Sequence, residues 1–449
     1  MDSINRDSSA FYSKNKSINS KDIKNNNAPG ISDNASLTGA LNDLLRQQLT
    51  PKITLPVMQE ITEPPVPRKP GIKQPDIKHD PLTICLIAAV SEILNAQQLD
   101  RPSLDQKLQF LFDKLYAIYQ VADMPDRDRT RQFISPQGLI LSPENCVTTQ
   151  RDGLRVRSFM RGIHQAITKL KHSRPGSLHI AYPACGPFAP LLLPLIGYYK
   201  ALNIYDESDL QISLIDIQPG AVTSLEAITH ELGITDYIHE VTCQDACQFQ
   251  SRLPIDIVVI EAMQHGLSRE GHLAIARHFA SIIRAEGIFL PQEISLRATL
   301  NFGQREYVDQ WADKQGRVCK TEMSPEIINE RKELGEILRL TADSLRNMQD
   351  HIIDKYTRLI DCNEVTIPPL APHKQSPILL ICTEMIIYGH ERIGEYDSGI
   401  THPLPDTQVC INFKPHDAKP GDLLVNSGDK LKFYYRLNGL PGFMATTVE

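Results

Sequence analysis

The sequence predicts a mixed α/β fold in which a parallel sheet is preceded by helices and followed by a β-rich region. Three observations support this. Before residue 177, apolar residues recur at three- and four-residue steps, which is typical of amphipathic helices. Between residues 177 and 291, short apolar runs alternate with segments of helical length. After residue 377, β-branched runs are separated by turn residues.

Five strands are predicted in the central region, and helices separate most of them. The predicted strands are Ser177–Tyr182, Gln211–Ile217, Tyr237–Thr242, Ile255–Ile260 and Gly287–Pro291. The predicted helices are Leu191–Leu202, Ala221–Leu232 and Arg269–Ala285. Strands that alternate with helices of this length form a mostly parallel sheet covered on both faces. We therefore expect a Rossmann-like sheet over residues 151–293.

The flanking regions divide the rest of the 449-residue chain. Residues 1–80 are rich in Asn, Ser and Pro and are predicted to be a disordered, Pro-rich tail, because this composition buries little apolar area. Residues 81–150 are predicted to be a helical N-terminal region. Residues 294–449 are predicted to form a β-rich, barrel-like domain that carries a helical insertion at 326–359.

Composition argues against several classes of protein. The net charge is -7 and no block of basic residues stands out, so we expect neither a nucleic-acid binder nor a protein that binds an anionic membrane. The longest apolar run, Leu82–Val90, is shorter than the ~20 residues of a membrane span, and the N-terminus does not resemble a secretory signal. Nine scattered cysteines favour a reduced, cytoplasmic protein with buried thiols.

In an open α/β sheet, ligands bind beyond the carboxyl ends of the strands. The first such loop follows Tyr182 and contains Ala184 and Gly186. A turn of small residues allows backbone N–H groups to approach a ligand closely. An ordinary strand-to-helix turn accounts for the same residues equally well.

Acidic residues follow the next two predicted strands. Asp216 stands at the end of the second strand, where a carboxylate typically accepts hydrogen bonds from ribose hydroxyls. Asp245 and Ala246 follow the third strand, where a carboxylate is suited to an exocyclic amine. A helix cap or a solvated side chain remains an alternative for Asp216, and a surface turn remains one for Asp245.

The fourth segment carries two glutamates, Glu261 and Glu270, nine residues apart. The order of strand, small-residue turn and strand-end acids resembles the S-adenosylmethionine-dependent methyltransferases. The segment 256–270 resembles the double-glutamate loop of the protein arginine methyltransferases. Gly287–Pro291 and Arg297–Leu300 are similar to the strand by which that family leaves its sheet toward a barrel.

The resemblance implies a class I methyltransferase sheet that uses S-adenosylmethionine. Asp152-x-x-Arg155-x-x-x-Phe159 resembles the family's helix over the cofactor, where the arginine grips the methionine carboxylate. The residues implied to bind the cofactor are Arg155, Phe159, Tyr182, Ala184, Gly186, Asp216, Asp245 and Ala246. Those implied to be catalytic are Glu261, Glu270 and His402, the last a proton acceptor because Thr401-His402-Pro403 resembles the family's Thr-His-Trp loop.

The implied partner is an arginine-containing peptide or a guanidino small molecule. A guanidinium is planar, always charged and rich in donors, so two carboxylates can hold it in forked hydrogen bonds with one nitrogen facing a methyl donor. The resemblance also suggests a homodimer formed through a helical arm, for which Glu326–Leu359 is a candidate. Alternatively, Glu270 is an acid placed at a helix N-terminus by the helix dipole, and Glu261 is structural.

The sequence departs from the family pattern at several positions. Tyr182, Ala184 and Phe188 replace an acidic residue and glycines in the first loop, and Ala262 stands where the family has a tryptophan. These changes leave two alternatives: a diverged O- or C-methyltransferase for small molecules, and a non-catalytic scaffold. A third alternative is that His402 is an ordinary loop histidine and not a proton acceptor.

Two cysteines have a spacing that suits a metal. However, neither a second pair nor a histidine cluster accompanies Cys243 and Cys247, so we expect core thiols and no metal site.

Overall fold

The structure is a computed structural model that describes residues 80–96, 100–312, 323–370, 377–405, 411–413 and 421–448. The predicted disordered tail, residues 1–80, lies outside the described residues except for Asp80. No helix in the described part of the chain is both long enough and apolar enough to cross a membrane.

Helices and one short hairpin precede the sheet. They are α1 (Pro81–Asn95), α2 (Arg101–Val121), α3 (Asp126–Thr130), β1 (Phe133–Ser135), β2 (Gly138–Ile140), α4 (Pro143–Cys146) and α5 (Gly153–Ser173). Three of the helices begin after an aspartate whose carboxylate accepts a hydrogen bond from a backbone N–H of the first turn: Asp80, Asp100 and Asp152. Such N-caps satisfy donors that a helix start leaves unpaired.

The central sheet contains five strands, and every neighbouring pair is parallel. The strands are β3 (Leu178–Pro183), β4 (Leu210–Asp216), β5 (Ile238–Cys243), β6 (Ile255–Val259) and β7 (Ile283–Leu290). The helices between them are α6 (Leu193–Ala201), α7 (Pro219–Glu231) and α8 (His272–Ile282). Their order is β5-β4-β3-β6-β7. The predicted Rossmann-like sheet is therefore confirmed.

The central strands are buried on both faces. Every residue of β3 and of β6 is buried, which is the pattern expected when helices cover both sides of a parallel sheet. The strand order reverses between β3 and β6, so a crevice for ligands is expected where these two strands end.

The C-terminal region is β-rich, as predicted. Its strands are β8 (Glu293–Asn301), β9 (Lys332–Leu340), β10 (Asp350–Asp354), β11 (Thr357–Thr366), β12 (Ile378–Tyr388), β13 (Glu391–Ile393), β14 (Leu404–Pro405), β15 (Ile411–Asn412), β16 (Leu423–Leu424), β17 (Lys430–Arg436) and β18 (Gly442–Val448). Its helices are α9 (Gly303–Tyr307), α10 (Pro325–Glu330) and α11 (Ala342–Asn347). One antiparallel sheet has the order β13-β12-β8-β9, with β14 beside β12, and a second has the order β10-β11-β17-β18.

The predicted helical insertion at 326–359 is wrong. Only the short helices α10 and α11 lie there, and the rest is strand. Leu334, Ile337 and Leu338 are spaced by three and one residues, which suits a helix, but β9 pairs with β8 along its length and shifts register near Gly335. Gly335 has a φ of +133°, which a helix does not allow. The helical arm proposed for dimerisation is therefore absent from the described residues, and the dimer stays a prediction.

Candidate active site

The turn after β3 contains residues with left-handed backbone conformation. Ala184 has a φ of 50° and Gly186 a φ of 66°. Such conformations cost free energy in non-glycine residues and are concentrated at functional sites. A Cβ atom placed on Gly186 would have only the Cβ of Cys146 within 4 Å among the described residues, at 3.6 Å. Ala184 therefore adopts a conformation that a glycine would adopt without this cost.

Phe188 points into the protein core. It is 1% exposed, and its ring centroid lies 6.0 Å from that of Phe112 and 5.9 Å from that of Tyr119, both on α2. Phe188 therefore joins the turn after β3 to α2. The side chains of Tyr182 and Phe159 are also buried, and burial raises the pKa of Tyr182 well above its usual value.

Asp216 lies at the end of β4 next to this turn. One carboxylate oxygen accepts a hydrogen bond from the backbone N–H of Gly186 at 2.9 Å, and the other accepts one from that of Gln218 at 2.9 Å. Burial raises the pKa of Asp216 to about 6, although these backbone N–H groups partly oppose the effect. Gln218, which the sequence analysis did not single out, donates to the carbonyl oxygens of Arg131 and Leu141.

Asp245 lies at the same edge of the sheet. The backbone N–H of Gln244 donates to the carbonyl oxygen of Asp216 at 2.9 Å, which joins the two loops. The Asp245 carboxylate accepts a hydrogen bond from the N–H of Cys247 at 2.9 Å, and Ala246 is buried beneath it. Asp245 is therefore a cap of the turn as well as a neighbour of Asp216.

Arg155 and Asp152 connect α5 to the acidic loop. Arg155 donates to Asp152 through Nε at 3.1 Å and Nη2 at 2.7 Å, and to Glu261 Oε2 through Nη1 at 3.0 Å. Burial alone would lower the pKa of Arg155, but the charges of Asp152 and Glu261 outweigh it and raise the pKa. The guanidinium is therefore a fixed positive charge at the start of the acid loop, as we call residues 261–271.

The two glutamates of the acid loop share one environment. Burial, followed by the negative charge of Glu261, raises the pKa of Glu270 from 4.5 to about 7, against smaller opposing effects of Gln264 and Arg155. Two acids that repel one another in a buried site are unfavourable unless a cation joins them. The charges of Glu261 and Glu270 thus act on the same surroundings: burial, and then the charges of Asp216, Glu270 and Glu261, raise the pKa of Cys146 well above its usual value.

The acid loop is held in place by three distant parts of the chain. The Tyr435 hydroxyl donates to the carbonyl oxygen of Leu267 at 2.6 Å, and the N–H of Arg269 donates to that of Pro441 at 2.7 Å. On the other side, the N–H of Leu139 in β2 donates to the carbonyl oxygen of Arg269 at 2.8 Å. Leu267 and Arg269 have φ values of 53° and 68°. These contacts hold a strained loop conformation.

A buried histidine, His272, follows the acid loop and accepts a hydrogen bond from it. The N–H of Ala262 donates to Nδ1 of His272 at 3.5 Å, and burial lowers the pKa of His272 to about 4. The neutral ring therefore accepts this hydrogen bond. His272 was not predicted as a site residue, and only its place after Glu270 could have drawn attention to it.

His402 lies beside the same cluster. The Ser398 hydroxyl and the Gly399 N–H donate to the Asp152 carboxylate at 2.6 and 3.3 Å, which fixes the loop that carries His402. Burial lowers the pKa of His402, and the charge of Asp152 opposes this effect. Burial, and then the charges of His402 and Arg269, lower the pKa of His265 to about 4. His265 is a second neighbour that sequence reasoning missed.

The cysteines give a mixed result. All seven described cysteines are unpaired thiols. Burial raises the pKa of Cys247 to about 12, but Cys243 is exposed, so the expectation of a core thiol is wrong for Cys243. Cys243 ends β5, the edge strand of the sheet, where one side of the strand pairs with no other described strand. No group of three His, Cys, Asp or Glu in the described ranges is arranged to hold a metal ion.

No family model and no curated protein matches this sequence. Among solved structures, the chain is similar to the Trypanosoma brucei PRMT1 enzyme–prozyme heterotetrameric complex with AdoHcy, at 13% sequence identity and a TM-score of 0.36. The match covers 67% of this chain and 96% of that chain. At this TM-score the similarity does not assign a fold, and the strand order and pairing of the sheets assign it instead.

Proposed function

We propose that the protein is an S-adenosylmethionine-dependent methyltransferase that methylates a guanidino nitrogen of arginine, either in a peptide or in a small molecule. The observation that carries this proposal is a pair of acids on one loop: Glu261 is hydrogen-bonded to the cation Arg155, and burial and then the charge of Glu261 raise the pKa of Glu270 to about 7. A single added cation with many donors satisfies such a pair, and a guanidinium has this form.

The residues at the carboxyl edge of the sheet fit the methyl donor. Each oxygen of Asp216 accepts one of the two backbone hydrogen bonds, and a carboxylate oxygen can accept another, as a ribose hydroxyl requires. Arg155 supplies a positive charge suited to an amino-acid carboxylate. Ala184 and Gly186 lie in the small-residue turn that is hydrogen-bonded to Asp216. When bound, S-adenosylmethionine supplies an electrophilic methyl group whose sulfonium charge disappears on transfer.

Glu261 and Glu270 orient the acceptor. Arg155 fixes the Glu261 carboxylate through Oε2, while Glu270 carries a proton for part of the time near neutral pH. A guanidinium between them favours the ionised form of Glu270, so acceptor binding expels the Glu270 proton. Two fixed carboxylates then restrict rotation of the guanidinium plane and present one nitrogen.

His402 is the proposed proton acceptor. Burial keeps its ring neutral at rest, and the nearby Asp152 carboxylate stabilises the ring once it is protonated. Asp152 is itself held by hydrogen bonds from Ser398 and Arg155, so its charge has a fixed position. A histidine placed in this way removes the proton that the guanidinium loses after methylation.

Methyl transfer with labelled S-adenosylmethionine tests the proposal. The natural protein is supplied with free arginine and, separately, with arginine-rich peptides, and methylarginine is measured. We expect Glu261→Gln and Glu270→Gln each to lose nearly all turnover, while Glu286→Gln, which changes an exposed acid on β7, keeps it. Methylation of an oxygen or carbon acceptor that tolerates one of the two site substitutions would contradict the guanidine assignment.

A non-catalytic scaffold predicts a different result. The residues that replace glycines in the first turn suggested this alternative. However, Ala184 has a left-handed backbone conformation, and the Phe188 ring packs against Phe112 of α2. Calorimetry with S-adenosylhomocysteine distinguishes the two, since a scaffold without a cofactor site gives neither heat nor a thermal shift.

A further inference from the structure

We propose that the rings of Trp311, Tyr396 and His402 form a binding surface for the cationic acceptor beside the acid loop. We call these three rings the aromatic row. The inference deepens the proposed function, because it assigns the residues outside the acid loop that recognise a guanidino group.

The three rings contact one another in the order Trp311, Tyr396, His402. The centroids of Trp311 and Tyr396 are 4.9 Å apart with an interplanar angle of 72°, and those of Tyr396 and His402 are 5.1 Å apart at 55°. Trp311 follows α9, whereas Tyr396 and His402 follow β13, so the row joins two separate segments. Each ring is partly exposed rather than fully buried in the core.

Tyr396 is held by a buried ionic network. Its hydroxyl donates to the Glu306 carboxylate, which is 0% exposed and also accepts hydrogen bonds from Asn301 at 2.7 Å and from Nε of Arg331 at 3.0 Å. Tyr396 has a φ of 60°, an unfavourable conformation for a bulky residue. The network therefore fixes the middle ring of the row in a conformation that the backbone alone disfavours.

The row leads to the acid loop. The turn at 399–401, just before His402, packs against the turn at 265–267 within the acid loop. His265 lies in that turn, and after burial the charge of His402 is the next cause that lowers the pKa of His265. The row thus extends from a partly exposed tryptophan toward the loop that carries Glu261 and Glu270.

The chemistry of the row matches that of the acid pair. Aromatic faces attract cations that lie within about 6 Å of the ring, and a guanidinium also stacks on them through its planar faces. Glu261 and Glu270 add negative charge at the inner end. A planar cation is attracted by both parts, whereas a neutral ligand of the same shape lacks the charge that each part attracts.

Trp311 is the only tryptophan of the chain, so its fluorescence reports on this row alone. The full chain, saturated with S-adenosylhomocysteine, is titrated with N-acetylarginine amide and, in parallel, with the neutral urea analogue N-acetylcitrulline amide. We expect a saturable change in tryptophan emission with the arginine compound and none with the citrulline compound. Equal responses, or no response to the arginine compound, would overturn the proposal.

Kinetic variants give a second test. We expect Trp311→Ala to raise KM for the arginine compound by about tenfold with little change in kcat, and Trp311→Phe to restore KM to within about threefold. The affinity for S-adenosylhomocysteine should not change in either variant. Tyr356→Ala, which removes a ring that is 70% exposed between β10 and β11, is the control and should leave KM unchanged.

The fluorescence titration needs no turnover, which separates this proposal from the proposed function. Saturable binding of the arginine compound without methylation would support the row and refute the activity. Methylation of arginine with an unchanged KM in Trp311→Ala would refute the row and support the activity.

Discussion

Glu270→Gln should stabilise the folded protein above neutral pH and, under the proposed function, abolish methyl transfer. Burial and the charge of Glu261 raise the pKa of Glu270 from 4.5 to about 7. The folded protein therefore binds this proton more tightly than the unfolded chain does, and the stability of the natural protein falls as pH rises between these two values. Glutamine has nearly the same shape and does not titrate, so the variant escapes this loss.

The size of the effect follows from the two pKa values. Each pKa unit corresponds to about 1.36 kcal/mol, so the difference between 4.5 and about 7 amounts to about 3 kcal/mol. We expect the variant and the natural protein to be equally stable near about pH 4, where the acid is protonated in both states. At about pH 8 the variant should be more stable by about 3 kcal/mol.

Urea denaturation followed by circular dichroism measures this difference over a series of pH values. Glu286→Gln serves as the control for removal of an exposed acid and should track the natural protein at every pH. A constant difference between Glu270→Gln and the natural protein, independent of pH, would refute the reasoning that Glu270 is a buried acid coupled to Glu261.

Three further substitutions test the supports of the site. In Gly138→Ala, the new Cβ would lie 2.7 Å from the carbonyl oxygen of Arg269. We therefore expect the free energy of unfolding, measured by urea denaturation, to fall by about 1–3 kcal/mol and turnover to decrease. Gly442→Ala is the control, because a Cβ there has open space around it and should change neither quantity. Tyr435→Phe removes the hydroxyl that holds the acid loop and should cost about 1 kcal/mol together with activity, while Tyr434→Phe on the same strand should not. Phe188→Ala should lower the free energy of unfolding by about 3–5 kcal/mol, because it removes a ring packed against α2. Its affinity for S-adenosylhomocysteine, measured by calorimetry, should stay within about threefold of the natural protein's. A larger loss of affinity would place Phe188 in the cofactor site.

The sequence was sufficient to predict the central sheet because its signals are local. Most of the strands β3–β7 contain a short apolar run next to a helical segment, and the structure begins each predicted strand within a few residues of its expected place. The same reading failed at residues 326–359. There the spacing of Leu334 and Leu338 also fits a helix, and only the pairing of β9 with β8 decides in favour of a strand. The periodicity of one segment does not show which distant segment it pairs with.

The candidate site was predictable only in part. Asp216 ends β4 and Glu261 lies two residues after β6, while Glu270 stands nine residues after Glu261, so a position or a motif draws attention to each of them. Tyr435 and His265 could not be found in this way. Tyr435 reaches the acid loop only because β17 folds back across it, and His265 matters only because the chain brings His402 beside it.

Proton release on acceptor binding tests the paired acids most directly. Calorimetry of N-acetylarginine amide binding to the full chain with S-adenosylhomocysteine is repeated at about pH 7 in buffers of different ionisation enthalpy. A heat that varies with the buffer in the sense of a released proton, and that loses this variation in Glu270→Gln, is the predicted result. Binding without proton release in the natural protein would contradict a guanidinium held between Glu261 and Glu270.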